Sequence, residues 1–237
     1  MSTPPGSPVP GLVSVIVPAF EAAAFIDEAL ESALRQDHPS VEIVVVDDGS
    51  SDDTAPVASA HPVTVLRRAN GGPAAARNSG LALARGEFVT ILDADDVWPE
   101  DRLSRQVSHL VAHPEHGLVL GLTEVFLTPG QPRPAHDPGF APGERVAGHP
   151  ATMLARREVF DRVGPFDEAL RVSEDIDWLA RAADAGVAAG RLEHTLLRYR
   201  IHAGNTSRLT AANNAATLAA LRASVVRKRE SSDVRGH

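Results

Sequence analysis

Apolar residues along the chain alternate between short continuous runs and stretches at helical spacing. Leu12-Val13-Ser14-Val15-Ile16-Val17 is a β-branched run short enough to be a strand buried on both faces, with Pro18 expected to end it. Ala22, Phe25, Ile26, Ala29, Ala33 and Leu34 follow at helical spacing, and His38-Pro39 stops that helix. Val41 to Val46 is a second buried strand, Val63 to Leu66 a third, and Phe88 to Leu92 a fourth. Between them, Ser50 with Asp53 three residues on resembles a capping box and predicts a short helix from about Asp52. Pro73 suits the first turn of a helix over Ala74 to Ala84.

The pattern loosens in the second half. A helix is expected from about Glu100 to Val111 and a strand from Gly117 to Phe126. Thr128 to His149 is rich in Pro and Gly, has little periodicity, and reads as a long functional or disordered loop. Ala151 to Leu154 predicts a short strand and Arg156 to Val163 a short helix. Gly164-Pro165-Phe166-Asp167 predicts a turn. Ser173 is placed to cap a helix over Glu174 to Ala185 that Gly186 stops, and Thr195 to Ile201 predicts a last strand. A final helix from about Leu209 to Lys228 aligns Ala211, Ala215, Leu218, Leu221 and Val225 on one face.

Strands alternating with helices imply an α/β fold: right-handed crossovers and a mostly parallel central sheet with helices on both faces. With no internal repeat and no clean linker, we expect a leader over 1–11, a single domain over 12–207 and a C-terminal helix and tail over 208–237. Within the domain, 12–99 forms one half and 100–207 the other. Composition narrows the function. The 237 residues carry a formal net charge of −8, which argues against binding a nucleic-acid backbone. There is no cysteine, so disulfides, thiolate chemistry and cysteine-based zinc sites are excluded. No apolar run reaches the length of a membrane span, and Met1 to Pro8 lacks the basic and apolar regions of a signal peptide. The expected setting is cytoplasmic.

The chemistry concentrates at strand ends. Asp93-Ala94-Asp95-Asp96 follows the fourth strand. At ~4 Å and an effective dielectric of ~20, each like-charged pair there costs roughly 4 kcal/mol before screening. A divalent cation, a set of N–H donors or the hydroxyls of a substrate would offset that cost, and an Asp-x-Asp pair suits Mg2+ or Mn2+ shared with phosphates. Read alone, the residues are better explained by a solvated acidic turn, because Asp is a common turn residue. The fold tips the balance, because ligands of parallel sheets bind outside the carboxyl ends of the strands. Those ends carry Pro18-Ala19, Asp47-Asp48 and Asp93-Ala94-Asp95, three separated polar clusters brought to one edge.

Other candidates stand beside ordinary structural roles. Asp48 is either turn chemistry or an acceptor for a base or ribose. Gly71-Gly72 with Arg77 is either a loop with a surface arginine or a phosphate cradle. Glu174-Asp175, with Asp177 nearby, favours a helix dipole or supplies a general base. His202 is a packed side chain or a metal ligand. Trp98 and Trp178 are packing residues, although Trp178, beside the candidate base, is also placed to face a sugar ring. No dinucleotide or Walker-type glycine motif is present.

Taken in order, the stretches Val13 to Phe20, Glu42 to Asp52, Gly72 to Asn78, Leu92 to Asp96, Val163 to Asp167 and Ser173 to Trp178 resemble the family 2 glycosyltransferases of GT-A fold. That resemblance implies a Rossmann-like sheet and an inverting, metal-dependent transfer from a nucleoside-diphosphate sugar, UDP-sugar favoured. It also implies roles. Pro18, Ala19 and Glu21 border the nucleotide, Asp48 holds the base, and Gly72 and Arg77 lie near the ribose or diphosphate. Asp93 and Ala94 meet the ribose or sugar, Asp95 holds Mn2+ or Mg2+ with His202, and Asp175 of a Glu-Asp motif with Glu174 acts as base. The acceptor (glycan, lipid-linked sugar, natural product or peptide) is left open. The motif of processive members is absent, and the basic end Arg227-Lys228-Arg229 allows a peripheral membrane contact. Two competing readings remain: a sugar-nucleotide nucleotidyltransferase, disfavoured by the lack of a basic glycine-rich loop after the first strand, and a nucleotide-sugar-binding module without turnover.

Overall fold

The computed structural model describes residues 7–128, 143–202, 204–205 and, near the C-terminus, 215, 217–219, 222–224 and 226–227. One sheet organises them. Its strands are β1 (Val9–Ala19), β2 (Val41–Asp47), β3 (Thr64–Arg67), β4 (Gly86–Ile91), β5 (His116–Leu127), β6 (Arg145–Ala147), β7 (Leu154–Arg156) and β8 (Ala188–Ile201). They lie in the order β3-β2-β1-β4-β7-β5-β6, with β8 along β5. β3, β2, β1 and β4 are parallel, β7 is antiparallel to β4 and to β5, and β8 is parallel to β5. Because two antiparallel steps restore direction, β5 and β8 point the same way as β1 to β4. The carboxyl ends of all six strands therefore share one edge. The chain runs outward from β1 to β3 and returns to β4 on the other side of β1, so the switch point lies between β1 and β4.

Alternation along β1 decides which helices cover which face. Val13, Val15 and Val17 join α1 (Ile26–Leu34) and α4 (Arg102–Ala112) in one buried cluster with Phe88, Leu92 and Trp98. Ile16 joins Ala74, Val89, Ile91, Phe160, Phe166 and Trp178 on the other face, beneath α3 (Pro73–Leu83), α5 (Arg157–Val163) and α6 (Glu174–Asp184). Gly80 sets the closeness of α3, since a Cβ there would meet Ile16 Cγ2 at 2.4 Å. Away from the carboxyl edge, the buried Ser14 hydroxyl donates to Glu42 at 2.6 Å and accepts from the Gly86 N–H at 2.8 Å, tying three strands together.

Several expectations need correction. Pro18 does not end β1: it stays in register with Val46 of β2. Ile16 O accepts from Leu92 N, so the Pro18 nitrogen faces the β4 side at a level where β4 has already ended, and no ladder bond is lost. The short helix α2 (Thr54–Ser59) begins later than expected and has no capping box. Ser50 instead donates its N–H to Asp47 Oδ1 and accepts the Glu21 N–H on its Oγ, and Asp52 receives the Thr54 N–H. Ser173 sits at the N-cap of α6 but in the left-handed region (φ 62°) with no cap hydrogen bond; its hydroxyl lies 3.3 Å from Thr217 Oγ1. The strand expected over Ala151 to Leu154 is a 3-10 turn over Pro150–Thr152 followed by β7, because Thr152 Oγ1 bonds the His149 carbonyl and folds the chain back. β8 starts at Ala188, earlier than apolar patterning indicates, since the polar Arg191, Glu193 and His194 lie on an exposed stretch of it. The long loop is interrupted by β6, and its 129–142 portion lies outside the described residues. So does most of the final helix; its described residues are helical, and Ser224 and Arg227 both bond Asp184 at the end of α6. Among the described residues no helix is long and apolar enough to cross a membrane.

Candidate active site

The strand-end carboxylates converge, and each is neutralised differently. Asp47, fully buried, receives the Arg67 guanidinium at 2.8 Å. Asp48, also buried, accepts from the N–H groups of Gly71 (3.1 Å) and Gly72 (2.7 Å) and lies 3.4 Å from Arg68. It thereby fixes the loop before α3, where Gly72 (φ 92°) makes a turn open to few other residues. The Gly71 and Gly72 N–H groups are thus spent on Asp48 and are not presented to a phosphate. Glu21, exposed at φ 49°, accepts from the Ser51 N–H and hydroxyl at 2.7 and 2.9 Å, which lays the turn after β1 across the turn after β2. Pro18 and Ala19 line the same edge, and Ala19 O receives the Asp48 N–H.

Arg77 is the hub. It is buried on α3 and donates to Asp93 Oδ1 at 3.1 Å and to Glu174 Oε1 at the start of α6. Burial disfavours its charge, but Asp93, Glu174 and Asp175 outweigh burial and hold the guanidinium more firmly protonated than usual. It lies over the Phe166 ring at 5.7 Å and faces carboxylates from both halves of the chain, so it is no free phosphate grip. Beside it, Asn78 exchanges two 2.9 Å bonds with the backbone of Phe166, which locks the Gly164 to Asp167 turn onto α3.

The acidic turn after β4 avoids the expected repulsion in three ways. Asp93 has Arg77. Asp95 Oδ2 lies 2.9 Å from His202 Nε2 and 3.4 Å from Asn205 Nδ2. Asp96 is fully buried, and burial with Asp95 and Asp93 nearby pushes its carboxyl well above the usual range despite Arg200. That shift makes Asp96 the easiest of the three carboxyls to neutralise. Ala94 is buried between them. Arg200, which sequence reasoning passed over, organises this turn: its N–H binds Asp96, its Nε binds the Asp95 carbonyl at 2.8 Å, and its guanidinium pairs with Glu28 and lies 4.6 Å from the Phe126 ring centroid. An arginine within a β-strand pattern gives no sequence signal for this role.

At the start of α6 the acids divide. Glu174 is buried, and burial outweighs its pairing with Arg77, so its carboxyl rises above the usual value. It orients rather than faces solvent. Asp177 is held by Arg181 at 2.8 Å. Asp175 is half-buried and uses Oδ1 only for the neighbouring Ile176 N–H. Trp178 is a correction: it is fully buried, gives its indole N–H to Gly164 O at 2.9 Å and packs 4.4 Å from Phe160, so it supports α6 from below and offers no face to a sugar. Trp98 is likewise buried, with Arg102 3.9 Å above its ring. His149 was missed. Its Nδ1 accepts from Ala151 N, its ring lies 5.3 Å from Tyr199, and burial depresses its basicity while Asp175 and Asp93 oppose and Arg77 adds. It therefore shares the electrostatic field of the site; a histidine closing a Pro-rich loop was its only sequence signal.

The donor set at Asp95 fits a hard divalent ion. Metal–ligand bonds of ~2.1 Å at right angles put neighbouring ligand atoms ~3.0 Å apart, and Asp95 Oδ2 and His202 Nε2 are 2.9 Å apart. His202 Nδ1 accepts from Gly204 N at 3.1 Å, so the proton resides on Nε2. Ligation would move that proton to Nδ1 and turn the Gly204 contact away.

An open, mostly parallel sheet with an acidic pair at its switch point, a histidine opposite and an acidic helix start held to them by one arginine fits a GT-A type architecture. Residues 14–166 match the model of Glycosyl transferase family 2, and the chain belongs to that family. It is 33% identical over 218 residues to the succinoglycan biosynthesis protein ExoO of Rhizobium meliloti, covering 83% of this chain and 63% of that protein. Among solved structures, a mannosyltransferase from Pyrobaculum calidifontis in complex with GDP-Man and Mn2+ is 29% identical, covers 82% of this chain and 57% of that one, and superposes with a TM-score of 0.59. S. aureus TarS 1-349 in complex with UDP-GlcNAc, at 24% identity, shares the fold with a TM-score of 0.71 over 91% of this chain and 66% of that one. The chain thus spans less than two thirds of the length of each.

Proposed function

We propose that this protein transfers a sugar from a nucleoside-diphosphate donor, a UDP-sugar favoured, to an acceptor nucleophile with inversion, using Mn2+ or Mg2+. The observation that carries the proposal is the bridge from Asp93 through Arg77 to Glu174, the residue that precedes Asp175. The half over 12–99 holds the donor and the half over 100–207 the acceptor, in a cytoplasmic setting. Pro18, Ala19, Glu21 and Asp48 border the nucleotide, with Asp48 acting largely by shaping the Gly71-Gly72 loop. Asp95 and His202 would hold the ion, which would supply positive charge to a leaving diphosphate. Asp175 takes the proton from the acceptor as its oxygen or nitrogen bonds the anomeric carbon and the bond to the diphosphate breaks. Glu174, raised in pKa and tied to Arg77, fixes the direction of α6 and not the proton transfer itself.

The test needs no acceptor. Nucleoside diphosphates and their sugars are screened by thermal shift with and without Mn2+, where a ligand at ~100 times its dissociation constant adds about 2.7 kcal/mol. The donor so identified is then used to measure transfer to water. Asp175→Asn is expected to lower turnover by about 10²–10⁴-fold and to keep metal-dependent nucleotide binding. Unaltered turnover in that variant would sink Asp175 as the base, and no stabilisation by any nucleotide would sink the donor assignment.

A further inference from the structure

The edge of the sheet opposite the carboxyl ends carries a second group of ligand-type side chains. His113-Pro114-Glu115-His116 forms the turn from α4 into β5, with His109 one helical turn earlier. The turn is held by its backbone: His113 N bonds His109 O at 2.9 Å and His116 N bonds His113 O at 3.0 Å. His113 Nδ1 lies 3.2 Å from Glu115 Oε1, and His116 Nε2 lies 4.0 Å from the same oxygen. One ligand atom from each of His113, Glu115 and His116 falls within a 4.8 Å span.

From this geometry we infer that His113, Glu115 and His116 bind a single Zn2+. Zinc bonds of about 2.0–2.2 Å at tetrahedral angles space ligand atoms roughly 3.3–3.6 Å apart, so the observed 3.2 and 4.0 Å separations need only small side-chain movements. Two nitrogens and one carboxylate select zinc over the hard ions that suit Asp95. The group also has the supporting contact that metal-binding histidines use. His116 Nδ1 meets His109 Nε2 at 3.0 Å, which turns Nε2 toward Glu115, and the two rings lie nearly parallel with centroids 5.2 Å apart. His109 is itself wedged against Gly190 of β8, where an added Cβ would meet Nε2 at 2.1 Å. His113 and Glu115 are exposed, so an ion enters freely and water completes the fourth position. The site stands apart from the strand-end acids: β5 has 12 residues, and at ~3.3 Å per residue its two ends are roughly 36 Å apart. The inference does not rest on the transferase proposal.

The experiment is calorimetric titration of the full chain with Zn2+ alone, followed by thermal melting with and without Zn2+. A zinc site is expected that weakens at least tenfold in His116→Ala and in Glu115→Gln and persists in Asp95→Asn, where any binding by the Asp95–His202 pair is removed. In the Asp95→Asn background zinc should raise the melting temperature, and adding His116→Ala should abolish that rise. Circular dichroism checks that each variant is folded, and Glu115→Gln, on the surface, serves if His116→Ala is not. Zinc binding that is lost in Asp95→Asn and kept in the turn variants would overturn the assignment, as would no binding at all.

Discussion

Replacing Arg77 by methionine keeps an unbranched stem and removes the charge that joins the two halves of the site. The side chains of Arg77 and Glu174 are only 7% and 5% exposed, so solvent cannot take over the lost contact. Removing one partner of a buried pair costs about 3–5 kcal/mol, mostly because the other charge is left uncompensated. Here the stranded group is Glu174, whose carboxyl burial already raises, with Asp175 and Asp93 adding to the rise and Arg77 opposing it. Without Arg77 the pKa climbs further. A carboxyl whose folded pKa exceeds its unfolded one imposes no penalty where both states are protonated, and a growing one as pH rises above its ordinary value. The gap between wild type and Arg77→Met should therefore be widest near about pH 7 and narrower near about pH 5. Urea unfolding measures it: at a slope of about 2 kcal/mol/M, the midpoint falls by roughly 1.5–2.5 M. Adding Glu174→Gln to Arg77→Met removes the stranded charge and should recover a large part of the loss. A loss under about 1 kcal/mol, or a double variant no more stable than Arg77→Met, would refute the reasoning.

Two further predictions concern the sheet. Gly80→Ala drives a methyl into Ile16 Cγ2 and should cost about 1–3 kcal/mol in the same unfolding assay, with turnover per folded molecule retained; an unchanged midpoint would mean that α3 can lift off β1 freely. Glu42 is held below its usual value of 4.5 because, although burial opposes its charge, bonds from Ser14 and Arg85 outweigh burial. Its stabilising contribution is present above that ordinary value and is lost as pH falls through the depressed one. Wild type should thus outlast Glu42→Gln at neutral pH and converge with it in acid, and a gap that stays constant down an acid titration would contradict this.

Much of the site was legible because strand ends of a parallel sheet are predictable from apolar runs. Once Leu12 to Val17, Val41 to Val46 and Phe88 to Leu92 were placed, the polar residues after them had to share an edge, and the motif order supplied the family. The contacts among those motifs were not legible. Arg77 as a surface phosphate ligand and Arg77 as a buried bridge have the same one-dimensional signature. So do Trp178 as a sugar platform and Trp178 as core, since helical spacing places a residue on a face without saying what covers it. Arg200 and His149 carried almost no local signal, because their roles come from partners about a hundred residues away in Asp95 and Asp96, or across the fold in Asp93 and Asp175.

Local chemistry also yielded to tertiary demands. Ser50 and Ser173 had the residue type for helix caps, yet one serves Glu21 and Asp47 and the other sits in a left-handed turn beside Thr217. A cap contributes only about 1 kcal/mol, less than the cost of leaving buried strand-end groups unpaired. The sequence by itself determined the α/β sheet, its carboxyl-edge acids and the family to which they belong, because periodicity and turn residues act over a few positions. Only the tertiary structure decided which acid is paired, which is pushed up in pKa by burial and which is left half-exposed. Those outcomes depend on burial and on charges brought together from distant parts of the chain.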